Sequence, residues 1–164
     1  LEEDETDLNP LSGTVRPTPA AEVGRPLSVT FAEEIRLLGA EVGEAEVEAG
    51  GSVGVTLHFH ALRAPARRWQ VFYHVESGAP PHARLRIGGS HHEPVEGVYP
   101  TDRWARGDHV ADVWSIRLPG SAPAGGYKVY AGLSREGVHA KAAPDDAHDG
   151  DGRVLVAEIR VIPP

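Results

Sequence analysis

From residue 53 the chain alternates between apolar and polar positions with a period of two. Val53, Val55, Leu57 and Phe59 are separated by Gly54, Thr56 and His58, with His60 following. Such alternation places one set of side chains on a buried face and the other set outward, the signature of a half-buried strand. A second run repeats it: Trp69, Val71, Tyr73 and Val75 interleave with Gln70, Phe72, His74 and Glu76. Ala64-Pro65-Ala66 breaks the chain between them, and the spacing predicts two antiparallel neighbours.

Further strands are expected over 27–31, 34–42, 84–88, 110–118, 126–134 and 153–162, where Val, Ile, Leu, Trp and Tyr concentrate. The 32–49 stretch also carries many Ala and Glu, a composition that suits a short helix as well. Gly50-Gly51, Gly78 to Pro81, Gly88-Gly89, Pro119-Gly120, Gly125-Gly126 and the Asp/Gly stretch 145–152 punctuate these segments. About eight short strands at this spacing predict an all-β, antiparallel two-sheet β-sandwich, immunoglobulin-like or jelly-roll-like. The sandwich is expected over 27–164. Residues 1–26 read as an acidic, Pro-containing tail or linker, with Glu2, Glu3, Asp4, Glu5 and Asp7 followed by Pro10, Pro17, Pro19 and Pro26.

Composition narrows the function. The formal net charge is -8, with Lys+Arg 16 against Asp+Glu 24 and no basic run beyond Arg67-Arg68. Neither nucleic acid nor an anionic membrane surface is expected as a partner of such a chain. Cys is absent, which removes disulfides, thiolate metal sites and a Cys nucleophile. No apolar run reaches the length of a membrane span. The chain starts at Leu1 rather than Met, which is expected of a processed or excised piece.

A set of unusual residues recurs in order through the middle of the chain. Val71-Phe72-Tyr73-His74-Val75 is followed by His92-Glu93-Pro94, Gly97-Val98-Tyr99-Pro100-Thr101, Trp104, Gly107-Asp108 and Asp112. Leu118-Pro119, Pro123, Gly126-Tyr127 and Gly132-Leu133 come after. Over roughly 52–162 this resembles the C-terminal soluble β-sandwich domain of bacterial dolichyl-phosphate-mannose-type membrane glycosyltransferases and related exported domains. The resemblance implies a sandwich outside the cytoplasm, in the periplasm or at the cell surface, without the glycosyl-transfer chemistry. One position departs: His91 stands where that family usually has Asp three residues before the Pro.

Three constellations are candidate sites. Tyr99, Asp102 and Trp104 surround the Tyr-Pro-Thr turn, either as a packed loop or as a carbohydrate-binding platform with Trp104 stacking on a sugar. His58 and His60 share a strand face and His74 lies on the next run; three imidazoles and a water form a known zinc arrangement. His91-His92 makes a second, loop-borne pair. Asp145, Asp146, Asp149 and Asp151 crowd a Gly-containing loop that suits calcium, or a plain solvated turn. No nucleophile elbow, P-loop, H-E-x-x-H or dinucleotide fingerprint is present.

The sequence therefore predicts a non-catalytic extracytoplasmic accessory or interaction domain, part of a larger envelope protein such as a membrane glycosyltransferase, with a protein or carbohydrate partner. A carbohydrate-binding module, with or without a stabilising calcium, is the alternative. Behind it stand a His-metal enzyme and a surface or filament subunit assembling by strand addition.

Overall fold

A computed structural model describes residues 13–16, 24–77 and 85–164. Its strands are β1 (Gly13–Arg16), β2 (Arg25–Phe31), β3 (Ile35–Val42), β4 (Glu46–Glu48), β5 (Ser52–Ala61), β6 (Gln70–Ser77), β7 (Arg86–His92), β8 (His109–Arg117), β9 (Gly125–Arg135), β10 (Val138–His139), β11 (Ala142–Ala143) and β12 (Val154–Ile162). Short 3-10 turns at Pro94–Gly97, Thr101–Arg103 and Asp145–Ala147 are the only helical elements among the described residues. The protein is all-β and built of two sheets. One runs β1-β8-β5-β3-β2-β11; the other runs β4-β12-β9-β6-β7, with β10 paired to β9. Pairing is antiparallel except between β4 and β12.

The period-two pattern of β5 is realised directly. Val53, Val55, Leu57 and Phe59 are buried against Val71, Tyr73 and Val75 of β6 and against Val129, Ala131 and Leu133 of β9, in one core cluster. Each such side chain contributes roughly 1.5–3 kcal/mol when taken from water.

The expected pairing of β5 with β6 does not occur. β5 pairs with β3 and β8, whereas β6 pairs with β7 and β9 in the opposite sheet. Both strands carry an apolar face, and the segment between them crosses the core so that these faces meet instead of lying side by side. The 32–49 stretch forms β3 and β4 rather than a helix, because Ile35, Leu37 and Ala40 bury on one face. The expected tail contributes β1, which pairs with β8; the rest of that segment up to residue 23 lies outside the described residues.

Phe72 and His74 are expected to face outward from β6, and Phe72 is nevertheless only 1% exposed. The segment from β10 to β12 folds over this outer face. His139 stacks on Phe72 with ring centroids 4.3 Å apart. Beneath them Gly132 leaves room that no side chain could share: a Cβ there would stand 2.6 Å from Phe72 Cζ and from the Gly152 carbonyl oxygen. The second sheet is thus covered on both faces along β6 and β9.

Candidate functional site

The residues around the Tyr-Pro-Thr turn form a packed corner. Trp104 is 2% exposed, its ring 5.9 Å from that of Phe59 and its indole N–H donating to the Tyr99 carbonyl oxygen at 2.9 Å. A ring enclosed in this way has no face to offer a sugar. Tyr99 donates its hydroxyl to Asp108 Oδ2 at 2.5 Å, and burial followed by that bond pushes its pKa up to about 12. Asp102 is exposed at the surface of the turn. The most consequential residue here is Thr101, fully buried. Its hydroxyl donates to the Arg67 carbonyl oxygen at 2.6 Å and accepts the Trp69 N–H at 2.8 Å. The turn motif therefore pins the crossover that carries the chain from β5 to β6.

The three histidines are not brought together. His58 and His60 project from the face of β5 opposite its core residues, while His74 projects from the outer face of β6 in the other sheet. The core separates them. His58 Nε2 contacts Glu41 Oε2 at 2.5 Å, and His60 stacks on His109 with centroids 4.1 Å apart. Among the described residues no group of three or more His, Asp or Glu side chains is placed to hold a metal ion.

His74 and the Asp loop instead belong to one charge network. Asp149 Oδ1 accepts the N–H groups of Asp151 and Arg153 at 2.9 and 3.1 Å, and Asp149 Oδ2 accepts Arg153 Nε at 2.6 Å. Arg153 Nη1 donates to Glu76 Oε2 at 2.7 Å and to His74 Nδ1 at 3.2 Å, and its guanidinium lies 4.4 Å from the Tyr130 ring centroid. A guanidinium has donors only, so His74 must accept through a neutral Nδ1. Burial, then the neighbouring Arg86 and Arg153, lower the His74 pKa to about 4. Of the four candidate calcium ligands, Asp149 is committed to Arg153. Asp151 approaches His139 at 3.4 Å, and Asp145 and Asp146 lie exposed on the 3-10 turn. The cation that this loop holds is its own arginine.

A second buried pair joins the sheets. His92, at the end of β7 rather than in a loop, brings Nε2 to within 2.5 Å of Asp112 Oδ2 on β8. Asp112 Oδ1 accepts the Val95 N–H at 2.8 Å, and Asp112 is fully buried. Trp114 stacks on His92 at 3.8 Å, nearly parallel, and donates its indole N–H to Ser90 Oγ at 3.1 Å. Tyr73 lies beneath, its ionisation raised well above the usual range by burial and then by Asp112. His92 and Asp112 both stand in the recurring motif, but nothing in the sequence joined them; only the packing of β7 against β8 reveals their contact.

A groove of about 680 Å³ opens beside Trp69, a feature that no motif announced. Thr30 and Ala32 at the end of β2, Trp69 before β6, and the stretch 138–143 line it, with Glu33, Arg67 and Lys141 among the lining residues. Val138, in the β10 hairpin, is 66% exposed. Trp69 is 8% exposed, and its buried indole N–H has no hydrogen-bond acceptor among the described residues. The other two indoles each have one. Trp69 lies in the run read as a strand, so its parity explained it as core and gave no hint of the groove.

No protein-family model matches the chain, and no curated protein matches it. Among solved structures, Pseudomonas fluorescens alkylpurine DNA glycosylase AlkC bound to DNA containing an abasic site analog is similar, with a TM-score of 0.42 and 13% identity. The match covers 78% of this chain and 30% of that one, so this chain spans less than a third of that protein's length. The expectation of a non-catalytic chain is corrected on this finding: the matched protein is an enzyme, and lack of a familiar motif does not exclude catalysis. A likeness this distant carries no argument about reaction or DNA binding here. No helix of the described residues is long and apolar enough to cross a membrane.

Proposed function

We propose that this chain is an immunoglobulin-like accessory domain of a larger envelope protein, working outside the cytoplasm, and that it engages a protein partner through the groove beside Trp69. The observation that carries the reading is the groove itself, an apolar recess flanked by an exposed Val138 and walled by Trp69. Apolar recesses with a few converging polar groups are where ligands bind. Thr101 supports the assignment, because a residue of the shared motif fixes Arg67 and Trp69 in place. The resemblance to the soluble domains of membrane glycosyltransferases supports the location and the accessory role. The buried position of Trp104 favours a protein partner over a sugar.

Selection of random peptides against the domain tests this reading. Peptides that bind the wild type should lose about tenfold or more in affinity on Val138→Arg, a change that places a charge in an apolar contact. Circular dichroism must show the variant folded. Peptides that bind V138R equally well, or oligosaccharides that perturb the Trp69 signal, would overturn it.

A further inference from the structure

We infer that the occupant of this groove is an extended, carboxylate-bearing segment of a partner protein, lying along β11. The inference rests on the groove being the binding site and names the chemistry of what enters it.

Three observations converge. First, β11 closes its sheet: it pairs with β2 through Ala142↔Phe31 and Ala143↔Thr30, and no strand lies beyond it among the described residues. A sheet end beside an apolar recess suits an added strand, whose main chain pairs at the edge while alternate side chains enter the recess. Second, Ala32, Ala140 and Ala142 line the groove, and such small side chains let a second backbone come close. Third, the charges at the groove are unbalanced. Arg25, Arg63, Arg68, Arg86 and Arg153 each lie within 4.0 Å of a carboxylate. Arg67 and Lys141 are exposed and make no ion pair among the described residues. Glu33, the one carboxylate in the lining, lies 3.9 Å from Arg63. Two cations against one anion leave the lining positive on a chain whose net charge is -8. An acidic segment is repelled by the molecule as a whole and attracted by the cations of this lining, so charge favours the groove once its apolar contacts are made. A small free carboxylate would satisfy the cations but leave the exposed Val138 uncovered.

The test uses three synthetic peptides of equal length, alternating Val with Glu, Val with Lys, and Val with Thr. The Val/Glu peptide should bind with an affinity that falls as salt is raised. Lys141→Glu and Arg67→Glu should each weaken it by about tenfold, the scale of a lost charge pair at an interface. Equal or tighter binding of the Val/Lys or Val/Thr peptide would overturn the inference, as would Val/Glu binding that K141E leaves unchanged. Failure of all three peptides would also overturn it. Random-library peptides that still lose affinity on V138R would then leave the groove assignment standing.

Discussion

Thr101 accepts the Trp69 N–H at 2.8 Å and in turn donates to the Arg67 carbonyl at 2.6 Å, so one buried hydroxyl closes both ends of a three-residue bend. Arg67 and Trp69, the two ends of that bend, line the groove. Thr101→Val keeps the shape and removes the bonds, leaving a buried N–H without its acceptor. Stability should fall by about 2 kcal/mol, measured by chemical denaturation, and affinity for groove-binding peptides should fall with it. Thr101→Ser, which keeps the hydroxyl, should retain most of both.

Arg153 joins the buried Glu76 carboxylate to the Asp149 carboxylate at the surface. Arg153→Met removes the hydrogen bonds to both, leaving Glu76 with Arg86 at 3.7 Å, and should cost about 1.5–3 kcal/mol, the scale of a hydrogen bond to a charged group. Calcium should not restore the loss, because Asp145 and Asp146 do not converge with Asp149. A calcium-dependent rise in the melting temperature of R153M would contradict this reading of the loop.

The same network sets a pH dependence. His74 titrates near 4 in the folded chain and near its ordinary 6.5 when unfolded. Between those values the unfolded chain binds the extra proton. Stability is therefore complete above about 6.5 and is lost as pH falls towards about 4. Burial leads the shift; Arg86, Arg153 and His139 act in the same direction, and Glu76 opposes it. Denaturation midpoints should decline across that window, and His74→Asn should flatten the decline.

Asp112 bridges the sheets through His92 and the Val95 N–H. Asp112→Ala leaves both without their acceptor in the core and should destabilise by about 3 kcal/mol. Double-mutant analysis with His92→Ala should show strong coupling between the two positions, because each loses the same contact. Additive effects would mean that the pair is not a working bridge.

Period-two alternation made the strands of the core legible, since one face of β5 meets water while the other meets the core. It could not say which strands pair, because two strands facing each other across a core carry the same pattern as two neighbours. Phe72 misled for a related reason: alternation assigns faces but not what covers them, and the 138–153 segment covers this one. The site residues divide in the same way. Thr101, Asp108 and Asp112 stood in the recurring motif and have structural roles there. The Trp69 groove draws its lining from β2, the crossover and the 138–143 stretch, which only the fold brings together.

Trp69, Trp104 and Trp114 give the chain three indole N–H groups, of which two have acceptors within the fold. Nuclear magnetic resonance can follow all three during titration with a selected peptide. The Trp69 signal should move with peptide concentration while those of Trp104 and Trp114 stay in place. Movement of the Trp114 or Trp104 signal with Trp69 unchanged would put the binding face elsewhere and contradict the account.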